Sequence, residues 1–148
     1  MNSKRLDPLI RRAEKREDTL AKELAKKVQA HEQQARRLED LARFRTEYEA
    51  PPAPGTALSS SLLKNRAAFL ARIDDAVALQ AKQLASSEEA LAIERTRLLL
   101  ASRDKLVLEK LAASYRLAER KLEERREQSV LDELAARQHR RPSPEDGR

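Results

Sequence analysis

The sequence predicts an all-α fold: an elongated two-helix antiparallel coiled-coil hairpin with a longer second helix. Three observations carry that expectation. Residues 66–122 contain no Gly, Pro or Cys, and large aliphatics recur there every seven residues at Leu70, Val77, Leu84, Leu91 and Leu98. Such a repeat keeps one narrow stripe facing a neighbour only if two helices wind around each other. Of the 148 residues 38% are charged and 3% aromatic, and the apolar fraction is mostly Ala and Leu, so burial must come from a thin seam between helices. Finally, every Pro and Gly falls outside the interiors of the two predicted helices, Pro8 standing in the first turn of the first.

The first helix is expected over residues 7–50. Asp7 can cap its free amides, and Pro8 suits the first turn, where a missing N–H costs nothing. With Ile10, Glu17, Leu24, His31, Leu38 and Arg45 at heptad position a, Leu6, Ala13, Leu20, Lys27, Gln34, Leu41 and Tyr48 fall at d. The stripe is apolar at both ends and polar in the middle. Residues 51–61, PPAPGTALSSS, form a Pro-rich turn whose hydroxyl residues can cap the second helix.

The second helix is expected over residues 62–137, with Leu63, Leu70, Val77, Leu84, Leu91, Leu98 and Lys105 at a, and Arg66, Ile73, Gln80, Ser87, Glu94, Ala101, Leu108, Tyr115 and Leu122 at d. A short linker between two seamed helices favours an antiparallel pair. The expected register sets Leu41 against Leu70, Leu38 against Ile73, Leu20 against Leu91, Ala13 against Leu98 and His31 against Gln80. It also brings Glu17 to Glu94 and Arg45 to Arg66, two like-charge layers that must splay toward water. Leu6 then faces Lys105, which leaves a C-terminal overhang from about residue 106 with its seam continuing through Leu108, Ala112, Tyr115 and Leu122. Isolated helices of that kind are marginal in water. Residues 138–148 are expected to be a disordered tail.

The net charge of +6 is spread thinly: Lys and Arg outnumber Asp and Glu by 13 to 10, 6 to 5 and 12 to 10 over residues 1–50, 51–100 and 101–148. Mixed charge of this kind belongs to solvated coiled-coil flanks, and no direct nucleic-acid binding is expected. No Cys, no apolar N-terminal run and no membrane span are present in the sequence, so a cytoplasmic protein is expected. His31 and His139 lie far apart in the hairpin, and no HExxH, P-loop, GxGxxG or GxSxG occurs. No catalytic residues, metal site or cofactor is expected, and the chain is not expected to be an enzyme.

Leu99 and Leu106 fall at b, and Leu100 and Val107 at c, away from the seam and spaced by heptads; with Leu111 nearby they make a second apolar strip. It reads as a docking strip for another protein, or else as a locally hydrophobic helix that self-associates weakly.

Three stretches, Lys4 to Asp18 (KRLDPLIRRAEKRED), Phe69 to Val77 (FLARIDDAV) and Glu94 to Arg116 (ERTRLLLASRDKLVLEKLAASYR), resemble the FliJ family of the bacterial flagellar type III export apparatus. The resemblance implies a cytoplasmic coupling factor, peripheral at the inner membrane through its partners. Those implied partners are the export ATPase hexamer, the cytoplasmic domain of the export-gate membrane protein, and export chaperones. Flagellum assembly, protein transport and, through them, chemotaxis would depend on it. The family's gate contacts carry over to Phe69, Ile73, Ala76 and Gln80, the last commonly a histidine in relatives. Ile73 and Gln80 lie in the seam, where hairpin packing explains them equally well. A stalk component of a virulence-type secretion system, or a structural or nucleic-acid-binding coiled coil, are the alternatives.

Overall fold

The computed structural model describes residues 2–50, 55 and 59–141. Two α-helices, α1 (Asp7–Glu49) and α2 (Ser60–His139), pack against each other as a hairpin with the longer helix second. A single 3-10 turn, Ser3–Arg5, precedes α1, with the Asn2 side chain accepting from the Lys4 amide at 3.1 Å. Helical bonding in α1 starts from the Leu6 carbonyl, which accepts from Ile10 N–H at 2.9 Å. Asp7 is therefore the first residue of α1 rather than its cap, and its carboxylate meets Arg116 at 3.4 Å. At the start of α2 the expected hydroxyl cap is Ser59, whose Oγ accepts from the Leu62 amide at 3.3 Å. Gly55 has a φ of 98°, a left-handed conformation that suits Gly in a turn. The rest of the expected turn over 51–58 and the tail from 142 onward lie outside the described residues.

The chain divides into two compact units, one of residues 16–100 and the other of residues 1–15 with 101–148. Within residues 16–100 the helices run antiparallel: Lys27, His31, Gln34 and Arg45 contact Glu94, Ser87, Gln80 and Asp74 in descending order. The heptad frame read from the sequence holds here. Leu20, Leu24, Leu38 and Leu41 on α1 and Leu70, Val77 and Leu84 on α2 are half-buried, and Ile73 and Leu91 are buried.

The pairing differs from the expected register by one heptad. His31 meets Ser87, Nδ1 to Oγ at 3.1 Å, instead of Gln80, while Gln80 Nε2 donates to the Gln34 carbonyl at 3.3 Å. The physical reason is charge. In this register Glu94 leaves Glu17 for Lys27 Nζ at 3.0 Å, and Arg45 leaves Arg66 for Asp74. Both like-charge layers become cross-helix ion pairs.

In the other unit, Ser3 N–H and Ser3 Oγ both donate to the Glu119 carboxylate at 2.7 Å. Ser3 and Ala112 are buried, and Leu6, Ile10, Leu108 and Tyr115 half-buried. Pairing therefore continues to Glu119, beyond the point near residue 106 where the expected register left α2 bare. Every described residue from Arg120 to Arg141 is exposed.

Candidate interaction site at the turn end of the hairpin

Phe44 and Phe69 each precede an a position of the heptad, and in an antiparallel pair those flanks meet. Phe69 lies 6.2 Å from Phe44, edge to face, and 4.6 Å from Tyr48, which is 6.1 Å from Phe44. Three of the chain's four aromatic residues thus share one cluster. They remain exposed, by 46% for Phe44, 40% for Tyr48 and 37% for Phe69. Aromatic contacts at these spacings are favourable, yet the rings leave their outer faces to water.

Arg66 holds this end together. Its guanidinium donates to the carbonyl oxygens of Tyr48, at 2.6 Å, and of Ala50. The last turn of α1 has no basic residue of its own, so α2 supplies the cation that its carbonyl end favours. The same guanidinium sits 5.9 Å from the Tyr48 ring centroid, within cation–π reach. Arg45 lies beside the cluster, bonded to Asp74 and to Glu49 at 2.9 Å. The hydrogen bond to Asp74, then the charges of Asp74 and Glu49, raise the pKa of its guanidinium above the ordinary value. A groove of about 480 Å³ opens between Glu47, Tyr48, Leu62, Asn65, Arg66 and Phe69, and a second of about 430 Å³ between Arg37, Asp40, Leu41, Phe44 and Gln80.

The four residues carried over as gate contacts divide in two. Phe69 is exposed and Ala76, one heptad further along α2, is half-buried, while Ile73 is 6% exposed inside the seam. Gln80 is half-buried and bonded to α1. Phe44 and Tyr48 complete the cluster around Phe69 although neither carried a functional expectation. The signal that could have found them is the pairing of like flanks across an antiparallel seam.

The second apolar strip divides between the two units. Leu99 and Leu100, 53% and 52% exposed, end one. Leu106, Val107 and Leu111, also exposed, lie in the other. No helix among the described residues is long and apolar enough to cross a membrane. Those residues also hold no group of three His, Cys, Asp or Glu placed to bind a metal ion.

The family model described as flagellar FliJ protein matches residues 2–143. The chain belongs to the FliJ family. It is accordingly a component of the flagellar protein export apparatus, in a family whose role is not enzymatic. No curated protein and no solved structure matches this FliJ-family chain. Phe69, expected above to be a gate contact, is one of three rings that stand open to solvent.

Proposed function

We propose that this FliJ-family protein couples the export ATPase ring to the cytoplasmic domain of the export-gate protein, and that it meets the gate through Phe69, Phe44 and Tyr48. The observation that carries the reading is the exposed aromatic cluster. Rings gathered at one end of a chain with 3% aromatic residues, uncovered and held in place by Arg66, are the anchors a protein interface uses. Ile73 and Gln80 serve this surface from beneath, by fixing α2 against α1. Ala76, small and next in line on the same flank, lets a partner approach closely.

Leu99 and Leu100 in one unit, and Leu106, Val107 and Leu111 in the other, are offered to the ATPase ring or to export chaperones. The role is cytoplasmic, and association with the inner membrane is peripheral, through the gate.

Phe69→Ala in the full chain is the decisive variant. Binding to the purified gate domain should weaken about tenfold or more, the usual effect of removing a central aromatic anchor. Far-ultraviolet circular dichroism should be unchanged, because the ring is over a third exposed. Undiminished gate binding would overturn the reading.

A further inference from the structure

α2 carries a second apolar line, on a flank that α1 covers only in part. Phe69, Ala76 and Ala90 stand on one heptad row, and Leu79, Ile93 and Leu100 on the row three residues later. The two rows alternate at spacings of three and four, the spacing that defines a coiled-coil contact line. The large members are uncovered: Leu79 is 60% exposed, Ile93 55% and Leu100 52%. Arg72, Gln83, Ser86 and Arg97 interrupt the line in the way Lys27, His31 and Gln34 interrupt the internal seam. The flank is also the side on which Phe44 of α1 meets Phe69, and where the groove between Arg37, Asp40, Leu41, Phe44 and Gln80 opens.

We infer that this flank, over residues 69–100, is a docking line for one amphipathic helix of another protein, a helix with acidic flanks. The three-and-four spacing selects a helix, since a strand or a loop would not stay in step with it over four heptads. Charge selects the kind of helix and disfavours a second copy. On the matching rows of α1 and α2, Arg16, Lys26, Arg37 and Arg72 outweigh Glu23 and Glu47, while Asp40 pairs with Arg43 at 3.3 Å and Arg97 with Glu94 at 3.1 Å. Two copies joined through this face would bring basic flanks together. An acidic helix meets them favourably. The line shares Phe69 and Ala76 with the proposed gate surface and Leu100 with the apolar strip, whereas Leu79 and Ile93, which decide the test below, belong to neither.

The probe is a labelled four-heptad peptide with Leu and Ile at its seam positions and Glu at both flanks, whose own repulsion keeps it monomeric. Its partner in the comparison carries Lys at the flanks instead. Titrated by anisotropy against the full chain at low salt, the Glu peptide should bind about tenfold more tightly than the Lys peptide. Leu79→Glu with Ile93→Glu should weaken the Glu peptide about tenfold at unchanged helicity, since both side chains are more than half exposed. Equal binding of the two peptides, or of wild type and double variant, would overturn the proposal. So would sedimentation showing a dimer of the wild type that the double variant abolishes, which would make a second copy the occupant.

Discussion

Ile73 and Phe69 stand four residues apart on one helix, and what separates them is the seam. Ile73 at d is 6% exposed and packs under α1, whereas Phe69 on the flank keeps 37% of its surface in water. The same substitution should therefore give opposite signatures. Ile73→Ala removes buried methyl groups from a contact only two helices thick and is expected to cost about 2–3 kcal/mol, toward the lower end for core truncations because a thin seam can partly collapse. Chemical denaturation followed by circular dichroism would measure it, with the loss appearing in the midpoint. Any loss of gate binding by Ile73→Ala should then follow the loss of folded chain, whereas for Phe69→Ala binding should fall with the midpoint preserved.

At the scale of the helices, periodicity was enough to assign both heptad frames, yet not the alignment of one helix on the other. The a and d rows that the sequence predicts are, for most of their length, the rows that are half-buried or buried. Some of their leucines, however, tolerate a shift of one heptad: Leu20 falls opposite Leu91 in one register and Leu98 in the other, and Leu41 opposite Leu70 or Val77. The decision falls to a few charges: Lys27 with Glu94, Arg45 with Asp74, and Arg66 with the last carbonyls of α1. Those partners lie on different helices, so no single-helix pattern displays them. Phe44 escaped notice for the same reason, being unremarkable until its flank is paired with that of Phe69. A chain with no Cys offers a clean test of the alignment. His31→Cys with Ser87→Cys joins positions whose native side chains touch at 3.1 Å, and should close a disulfide on mild oxidation. His31→Cys with Gln80→Cys, the pair that the sequence-based register would join, should remain reduced. Efficient closure of the second pair and not the first would contradict the observed register.

For the molecule as a whole, a fold with so few buried apolar side chains leans on polar contacts more than a thick-cored domain does, and acid should expose that dependence. Ile73, Leu91, Ala101 and Ala112 are the buried hydrophobics among the described residues, and each unit adds a carboxylate whose pKa is lowered by its hydrogen-bond donors. In residues 16–100 it is Glu94, whose pKa is lowered first by the hydrogen bond from Lys27, then by the charges of Lys27 and Arg97, against an opposing push from burial. In the other unit it is Glu119, lowered first by the Ser3 backbone N–H and then by the Ser3 hydroxyl. A carboxylate whose folded pKa lies below its ordinary 4.5 binds protons more readily when unfolded. Its stabilisation is therefore complete above about pH 4.5 and drains away as the pH falls through the folded value. Thermal melts should accordingly give a midpoint that is flat above about pH 5 and declines below 4.5. The Ser3 amide proton, bonded to Glu119, gives a local readout by NMR: its resonance should move upfield as that carboxylate protonates below its ordinary value. Glu119→Gln should shift the amide upfield already at neutral pH and remove its acid titration, while leaving the Lys27–Glu94 contribution in place. An amide that does not titrate in the wild type would mean that the bond between Ser3 and Glu119 is not maintained in solution, and the N-terminal turn would then have lost its anchor on α2.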